Sequence, residues 1–559
     1  MMSPWLQHLP VVPIVAPLIA AAVILFFAER SRAVRVAIAG ASMLAQFAAA
    51  LVLLALTTDL FPDVWRQGVG VYAIGAWQAP FGIVLVVDRL TGLMLILTSV
   101  VGLAAFFNSL AYWDRVGPHF HTLFQLLLMG VNGAFLTGDL FNLFVFFEVL
   151  LAASYGLLLH GSSTQRVKIG LHYIVVNLVG SLLFLIGVSL IYGVTGSLNI
   201  ADLPAQAAAL RGKERALFDA ATSILGVAFL IKAGVWPLNF WLVGTYAAAS
   251  APVAAAFAVL TKVGVYVLIR LGSLNQGADV LASIEGSAML RPDLFGGGMF
   301  YLGVLTMGFG IFGMLAAQQL ARLVGYSVIV SSGLMLTVLG LNIPALMAPA
   351  LFYLVGSVLA TAAFFMLSGM TERVWRSPAP PAAAAAPTAE PVVPEHYVPF
   401  GVRRAPVLPA QDDEVGVAIP ATMAFLGIMF AFCVLLVTGS PPLSGFIAKF
   451  ALLSAAIEAA QGAPWATAVW TLVAVTLATG LASLIALTRI GMRLFWSATG
   501  RNTPRLRVLE AGPVAVLVLL CIGLTVAAGP VMEFLDAAAA SLREPQVYIE
   551  TVLGGRVAP

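Results

Sequence analysis

Long apolar runs, each close to the length needed to cross a bilayer, follow one another through this chain. A membrane-spanning helix needs about 20 mainly apolar residues. Lipid offers no hydrogen-bond partners to the backbone, so such runs predict helices. Only 9% of the 559 residues are charged, against about 25% in an ordinary soluble domain. We therefore predict an all-α polytopic membrane protein of about fourteen transmembrane helices, near 9–28, 34–57, 81–111, 119–137, 139–160, 169–194, 217–248, 252–271, 297–318, 322–341, 345–370, 418–459, 465–490 and 511–536.

The distribution of arginine and lysine predicts the orientation of these spans. The N-terminus has no cationic stretch before its first apolar run, which favours a first spanning helix over a cleaved signal peptide. With the N-terminus outside, inside loops carry roughly twice as many Arg and Lys residues as outside loops, as the positive-inside rule requires. Both termini are then expected outside. The Pro-rich segment 376–416 cannot form an apolar core and is predicted to be an extended or disordered inside loop.

One apolar run contains a full charge and two helix disruptors. Lys232 lies there beside Gly234 and Pro237. A lysine at bilayer depth costs roughly 2.5–3.5 kcal/mol on insertion scales. A proline inside a helix costs about 3 kcal/mol, because it removes a backbone donor and clashes with the preceding turn. A segment that only crossed the membrane would carry neither, so we predict a broken helix with a functional lysine.

The same pattern recurs in the second half of the chain. Gly439, Pro441 and Pro442 interrupt another long run, and Lys449 follows them closely. Two Gly/Pro-interrupted hydrophobic segments in two halves of a chain are typical of a transporter's ion site. The second prediction is therefore another broken helix, related to the first in backbone but with its lysine after the break.

The two breaks predict an internal duplication. Five helices surround each break, and an odd number of crossings inserts the two units with opposite orientation. We expect three helices in 1–118, a first inverted repeat in 119–271, a second in 297–496 that includes the Pro-rich loop, and a last spanning helix with a short tail in 511–559.

Four ionisable side chains lie deep within predicted spans. They are Glu148, Lys232, Lys262 and Lys449. One glutamate cannot pair with three lysines, and a buried cation without a partner readily loses its proton. Such groups could pass protons through waters at the helix breaks. The alternative is a buried ion pair that only locks helices together.

Other polar residues are weaker candidates. Asp139 is expected to cap the Glu148 helix, and His172, just inside its span, could relay protons. Cys433 and Cys521 both lie in apolar runs and are interpreted as small core residues. No P-loop, haem-attachment, zinc-spacing or dinucleotide motif occurs, so we expect no cofactor and no metal site. A net charge of +3 is too small to indicate nucleic acid.

Several motifs resemble the D-type subunit of Mrp-type multisubunit cation/proton antiporters, which is related to the antiporter-like subunits of respiratory complex I. The likeness covers about residues 80–496. Its motifs are TGDLFNLFVFFE at 137–148, IKAGVWPL at 231–238, LTKVGVY at 260–266 and PPLSGFIAKF at 441–450.

The resemblance implies a proton-translocating subunit of a hetero-oligomeric antiporter in a bacterial inner membrane. Its partners would be other membrane subunits, the bilayer, protons and Na⁺, or Li⁺ or K⁺. Glu148 and Lys232 match the family's acid–lysine pair, Lys262 its connecting lysine and Lys449 its terminal lysine. Many relatives carry a histidine and a lysine where this chain has Gly356 and Thr361. The link between the half-channels would then depend on water and hydroxyls.

Two other functions remain open from the sequence. The chain could be a proton-pumping subunit of a complex I-like NADH dehydrogenase or membrane hydrogenase. It could also be a structural membrane scaffold whose buried charges hold helices together.

Overall fold

The computed structural model describes residues 4–26, 31–58, 61, 64–117, 119–161, 163–283, 297–376, 421–461, 466–496 and 506–554. The predicted Pro-rich loop lies outside these residues from position 377 onward. The α-helices are α1 (Pro4–Gln7), α2 (Val12–Phe26), α3 (Arg32–Leu56), α4 (Arg89–Ser109), α5 (Phe120–Leu136), α6 (Leu140–Leu159), α7 (Thr164–Thr195), α8 (Leu203–Ala209), α9 (Gly212–Ala233), α10 (Leu242–Ala248), α11 (Ala251–Ser283), α12 (Met299–Ala316), α13 (Leu320–Leu341), α14 (Met347–Arg376), α15 (Ala421–Thr438), α16 (Ser444–Ala459), α17 (Ala466–Gly491), α18 (Val508–Val526), α19 (Ala528–Arg543) and α20 (Pro545–Val552). The strands are β1 (Gly70–Ala73) and β2 (Val84–Val87).

Most of these helices are long and apolar enough to cross a bilayer. Among the described residues, 13 helical segments meet that criterion. The apolar α5 has 17 residues, slightly under the length required, and it occupies the place of one more predicted span. The all-α polytopic membrane fold is therefore confirmed. Three of the predicted runs, 81–111, 217–248 and 418–459, are longer than one plain span. The runs 217–248 and 418–459 divide into two helices each, α9 with α10 and α15 with α16.

The third overlong run, 81–111, is not helical at its start, and α4 begins only at Arg89. It begins with β2, which pairs antiparallel with β1 so that Gly70 lies opposite Val87 and Ala73 opposite Val84. The valines of β2 favour a strand once a partner is available. Asp88 then begins α4, because its carboxylate accepts a hydrogen bond from the Thr91 backbone N–H at 2.9 Å.

Helix α11 lies at the centre of the molecule. Its membrane-spanning part is wholly buried, and it packs against α4, α9, α13 and α14. Because no part of this span is left to face lipid, other helices surround it on every side. Lys262, in the middle of α11, is therefore enclosed by protein.

A buried ion pair lies near the C-terminal end of the membrane-spanning part of α11. Arg270 is only 5% exposed and contacts Asp88 at 2.7 Å. Its guanidinium also lies 4.9 Å from the centre of the Tyr548 ring. The C-terminal residues form α19 and α20, and both helices pack against α11.

Candidate functional site

The first helix break separates α9 from α10. Helix α9 ends at Gly234, whose φ of 70° is the left-handed conformation that glycine adopts without strain. Its N–H and that of Val235 return to carbonyls of the last turn of α9. Eight residues later α10 begins, and between them the Trp236 N–H donates to the Thr306 hydroxyl at 3.0 Å. The first three N–H groups of the break are therefore bonded to protein oxygens.

Lys232 lies in the last turn of α9 and is only 5% exposed. Its Nζ donates to the backbone and side-chain oxygens of Asn177 on α7, at 3.4 and 3.3 Å. The Phe147 ring centre lies 5.8 Å away. The direct contacts of this lysine are thus neutral oxygens and an aromatic face.

Glu148 follows Phe147 on α6 and is half-buried. Its Oε1 is enclosed and has no hydrogen-bond partner among the described residues. No ion pair within 4.0 Å joins Glu148 to a lysine in the described part of the chain. The predicted acid–lysine pair is therefore not a contact pair. Asp139 caps α6 as predicted, since its carboxylate accepts from the Asn142 N–H at 2.8 Å.

Lys262 lies in the middle of α11 and is 2% exposed. Its Nζ donates to the Ser331 hydroxyl at 2.9 Å and lies 3.4 Å from the Ser332 hydroxyl, both on α13. Among the described residues it has no carboxylate within ion-pair distance. Like Lys232, it is a buried amine held by neutral acceptors.

The second helix break separates α15 from α16. Gly439 has a φ of 74° and ends α15. Lys449, in the second turn of α16, turns back across the break and donates to the carbonyls of Thr438 and Val437 at 2.8 and 3.4 Å. The last carbonyls of a helix lack intrahelical partners and carry partial negative charge. Lys449 therefore caps the helix that precedes it.

Two cavities meet at Lys449. A small one of about 30 Å³ lies towards the bundle interior and is also lined by Tyr353, Ser357, Thr361 and Ser483. This volume holds about one or two water molecules. A larger one of about 450 Å³ opens beside α16 and α17 and is lined mainly by apolar side chains.

Two further candidates from the sequence, Thr361 and His172, have different surroundings. Thr361 lines the small cavity, and its hydroxyl donates to the Ser357 carbonyl at 2.7 Å. His172 is exposed on α7, with its ring 5.4 Å from that of Phe240. The relay role of His172 stays a prediction, and this exposed position does not favour it.

Sequence reasoning missed several of the groups that surround the lysines. Neither Ser357 nor Asn177 was predicted to lie near a lysine. The buried Asp88–Arg270 pair was also missed. A signal existed for it, since Lys262, Tyr266 and Arg270 recur every four residues and so share one face of α11.

A second polar cluster surrounds Asp114, which lies in the connection between α4 and α5. Arg32 donates to Asp114 at 2.7 Å, and the His121 ring nitrogen lies 3.6 Å from the same carboxylate oxygen. Burial alone would raise the pKa of the Asp114 carboxyl, but His121 and Arg32 outweigh it and hold that pKa below its usual range. This cluster lies apart from the lysines and joins α3, the α4–α5 connection and α5.

Comparison with known proteins places these residues in a family context. Residues 137–378 match the family model described as NADH:quinone oxidoreductase/Mrp antiporter, TM. The chain is 51% identical over 559 residues, covering 99% of it and 98% of the relative, to a probable K⁺/H⁺ antiporter D-type subunit from Rhizobium meliloti (strain 1021). It is 32% identical over 555 residues, covering 98% of it and all of the relative, to the Na⁺/H⁺ antiporter D-type subunit of Alkalihalophilus pseudofirmus (strain ATCC BAA-2126 / JCM 17055 / OF4).

Solved structures give the same picture. A chain of the Mrp complex from Dietzia sp. DQ12-45-1b superposes with a TM-score of 0.79 at 26% identity, covering 99% of this chain and all of that one. A chain of an archaeal membrane-bound sulfane sulfur reductase shares the fold, with a TM-score of 0.77 at 21% identity, covering 98% of this chain and all of that one.

Proposed function

This chain belongs to the family of D-type subunits of Mrp-type cation/proton antiporters, and from this premise we propose that it is the proton-translocating membrane subunit of a multisubunit monovalent cation/proton antiporter. It moves protons along Glu148, Lys232, Lys262 and Lys449 and the waters between them. The observation that carries the proposal is that each of these lysines donates only to neutral oxygens. A lysine held this way can lose its proton without leaving a buried carboxylate unpaired.

The same contacts disfavour the alternative in which the buried charges only hold helices together as ion pairs. That role requires a carboxylate beside each ammonium. Buried pairs are stable only when geometry and further hydrogen bonds compensate for desolvation. In the described residues such a pair exists at Asp88 and Arg270, away from the four candidates. The proposed carriers and the structural ion pair are therefore different residues.

The two halves of the chain act as two half-channels related by inverted repeats, 119–271 and 297–496. The left-handed Gly234 and Gly439 at equivalent points of the two broken helices support this division. The chain assembles with other membrane subunits in the cytoplasmic membrane of a bacterium, with both termini outside. Bacterial relatives and the bias of Arg and Lys between loops support this placement.

The exchanged cation is Na⁺ or K⁺. The relative at 51% identity is named for K⁺ and the one at 32% for Na⁺. The redox alternative, a pumping subunit of a complex I-like enzyme, shares the fold: a chain of respiratory complex I from Thermus thermophilus superposes with a TM-score of 0.68 at 21% identity. Whole-length identity to antiporter subunits favours exchange.

The test measures proton movement driven by Na⁺ or by K⁺ in inverted membrane vesicles carrying the whole complex. We expect Glu148→Ala and Lys232→Ala each to abolish it while the complex still assembles. Lys213→Ala is the matched control, because Lys213 is exposed at the start of the same helix α9. Full activity in both the Glu148 and Lys232 variants would contradict the proposal.

A further inference from the structure

Lys262 is joined to the small cavity by two serine hydroxyls. Its Nζ donates to Ser331 Oγ at 2.9 Å, and Ser331 Oγ lies 3.0 Å from Ser357 Oγ. Ser331 is 2% exposed, whereas Ser357 lines the cavity that also contacts Lys449. A continuous run of hydrogen bonds therefore leads from the buried amine on α11, across α13, to α14 and the cavity.

We propose that Ser331 and Ser357 form a hydroxyl bridge that carries protons between Lys262 and the cavity beside Lys449. This inference rests on the proposed function, since it supplies the step between the two half-channels. A hydroxyl both donates and accepts, so it can take a proton on one side and release another on the opposite side. The helix α14 that bears Ser357 has no carboxylate, lysine, arginine or histidine at this level; the Tyr353 hydroxyl, one turn before Ser357, lines the same cavity.

The transfer balances bond by bond. An N–H bond of the Lys262 ammonium breaks as a new O–H bond forms on Ser331. The original Ser331 O–H bond breaks as its proton bonds Ser357 Oγ, and the original Ser357 proton bonds a cavity water, which passes one proton to the neutral Lys449 amine. Lys262 ends as an amine, Lys449 as an ammonium, and both hydroxyls are restored.

The resting hydrogen bonds give the bridge a direction. Ser357 Oγ donates to the Leu354 carbonyl at 2.9 Å, so it accepts from Ser331 in this arrangement. Ser331 in turn accepts from Lys262. All donors point away from Lys262. Release into the cavity requires the Ser357 hydroxyl to rotate from Leu354 towards the cavity, which makes that rotation the gate of the step.

A third hydroxyl lies close to this route. Ser444, at the start of α16, has a buried hydroxyl beside the Cys521 thiol of α18. A Cβ placed on Gly356 would come within 3.8 Å of that oxygen. The glycine thus leaves a narrow space between α14 and the second broken helix, on the side of the cavity.

The experiment compares Ser331→Ala, Ser357→Ala and the double variant, in the intact complex, by cation-driven proton movement in inverted vesicles. Each single variant should lower the rate at least about tenfold, and the double variant should be no slower than the slower single one, because both act on one route. Ser357→Thr, which keeps the hydroxyl and has the cavity beside it, should restore the rate. Ser327→Ala is the matched control: Ser327 lines the same cavity from α13, but its hydroxyl donates only to Val324.

Ser331→Cys covers the case in which Ser331→Ala fails to assemble. The thiol is close in size but a weak donor, so the rate should again fall. Rates within twofold of the wild type in the double variant would overturn the bridge. Lys262→Ala separates the two levels of the proposal: an inactive Lys262 variant beside active serine variants refutes the bridge alone, whereas an active Lys262 variant refutes the lysine relay itself.

Discussion

At the first helix break the lysine precedes the left-handed glycine, and at the second it follows. Lys232 belongs to the helix that ends and reaches sideways to Asn177 on α7. Lys449 belongs to the helix that begins and reaches back to the last carbonyls of α15. The backbones of the two breaks are alike, but the chemical surroundings of the amines are not.

The difference has a functional consequence within the proposed relay. A side-chain amide can rotate or exchange its hydrogen bond, whereas the backbone carbonyls of a helix end are fixed in place. Lys449 also borders two cavities, while Lys232 is enclosed by protein. The first break thus holds its lysine inside the bundle. The second holds its lysine between the small interior cavity and the larger cavity beside α16 and α17.

The largest expected effect comes from replacing each lysine by arginine. Arginine keeps the positive charge and cannot be deprotonated. Lys449→Arg should still cap the carbonyls of α15 and assemble, yet proton movement should fall about a hundredfold or more, as when a positioned proton carrier is lost. Lys232→Arg should be equally inactive in the vesicle assay. Normal transport in Lys449→Arg would show that the second lysine is a structural cap, and the comparison would fail.

The glycines separate the breaks next. A Cβ on Gly439 would lie 2.5 Å from Lys449 Cδ, whereas a Cβ on Gly234 would lie 2.5 Å from Leu242 Cδ1. Both Gly→Ala changes also force an L-residue into a left-handed conformation, which costs about 1–2 kcal/mol. Gly439→Ala should lower transport about tenfold more than Gly234→Ala at similar thermal stability. Equal rates would indicate that the glycine at the second break does not position its lysine.

A smaller contrast concerns the acceptors. Asn177→Leu removes the side-chain oxygen that holds Lys232, and hydrogen bonds to charged groups contribute about 1.5–3 kcal/mol. Thr438→Val leaves the backbone carbonyl that holds Lys449 intact. We expect the Asn177 variant to reduce transport about tenfold and to change its pH profile, while the Thr438 variant stays near wild type. Equal losses in the two variants would mean that the acceptors of the two lysines do not differ in this way, and a larger loss in Thr438→Val would contradict the assigned acceptors.

The smallest effect on transport is expected at the ion pair that anchors α11, the helix between the two breaks. Burial alone would raise the pKa of the Asp88 carboxyl, but Arg270 outweighs it and holds that pKa below 3.8. A lowered folded-state pKa contributes stability that is present above the unfolded-state value and disappears as pH falls through the folded-state value.

Arg270→Leu would leave the Asp88 carboxylate buried without its partner, at a cost of about 3–5 kcal/mol near neutral pH. As pH falls through the lowered folded-state pKa of Asp88, the contribution of the ion pair in the wild type disappears, so the difference between wild type and Arg270→Leu should shrink. Thermal unfolding of the detergent-purified complex measures it, with Arg211→Leu as the control for loss of an exposed arginine. A difference that does not change with pH would mean that Asp88 is not the charge that Arg270 neutralises.

Much of the fold could be predicted because the bilayer restricts the choices so strongly. Long apolar runs must be helices, and the lysines, glycines and prolines within them marked both breaks. The run 81–111 was misjudged at its start, because four apolar residues suit a strand as well as a helix until a partner strand is known. The Asp88–Arg270 pair was missed for a similar reason: near the end of a span, only its contact with Asp88 distinguishes a buried arginine from a loop residue.

The amino-acid sequence by itself determined which side chains carry charge into the membrane and where the backbone must break. The cost of placing a lysine at bilayer depth, or a proline inside a helix, depends only on the local segment. Only the tertiary structure decided what those lysines contact. Asn177 lies 55 residues from Lys232 along the chain, and Ser331 and Ser357 lie 69 and 95 residues from Lys262. Such pairings depend on how helices pack against each other, and a hydroxyl at an apolar level of a helix gives no sign of which neighbour it will meet.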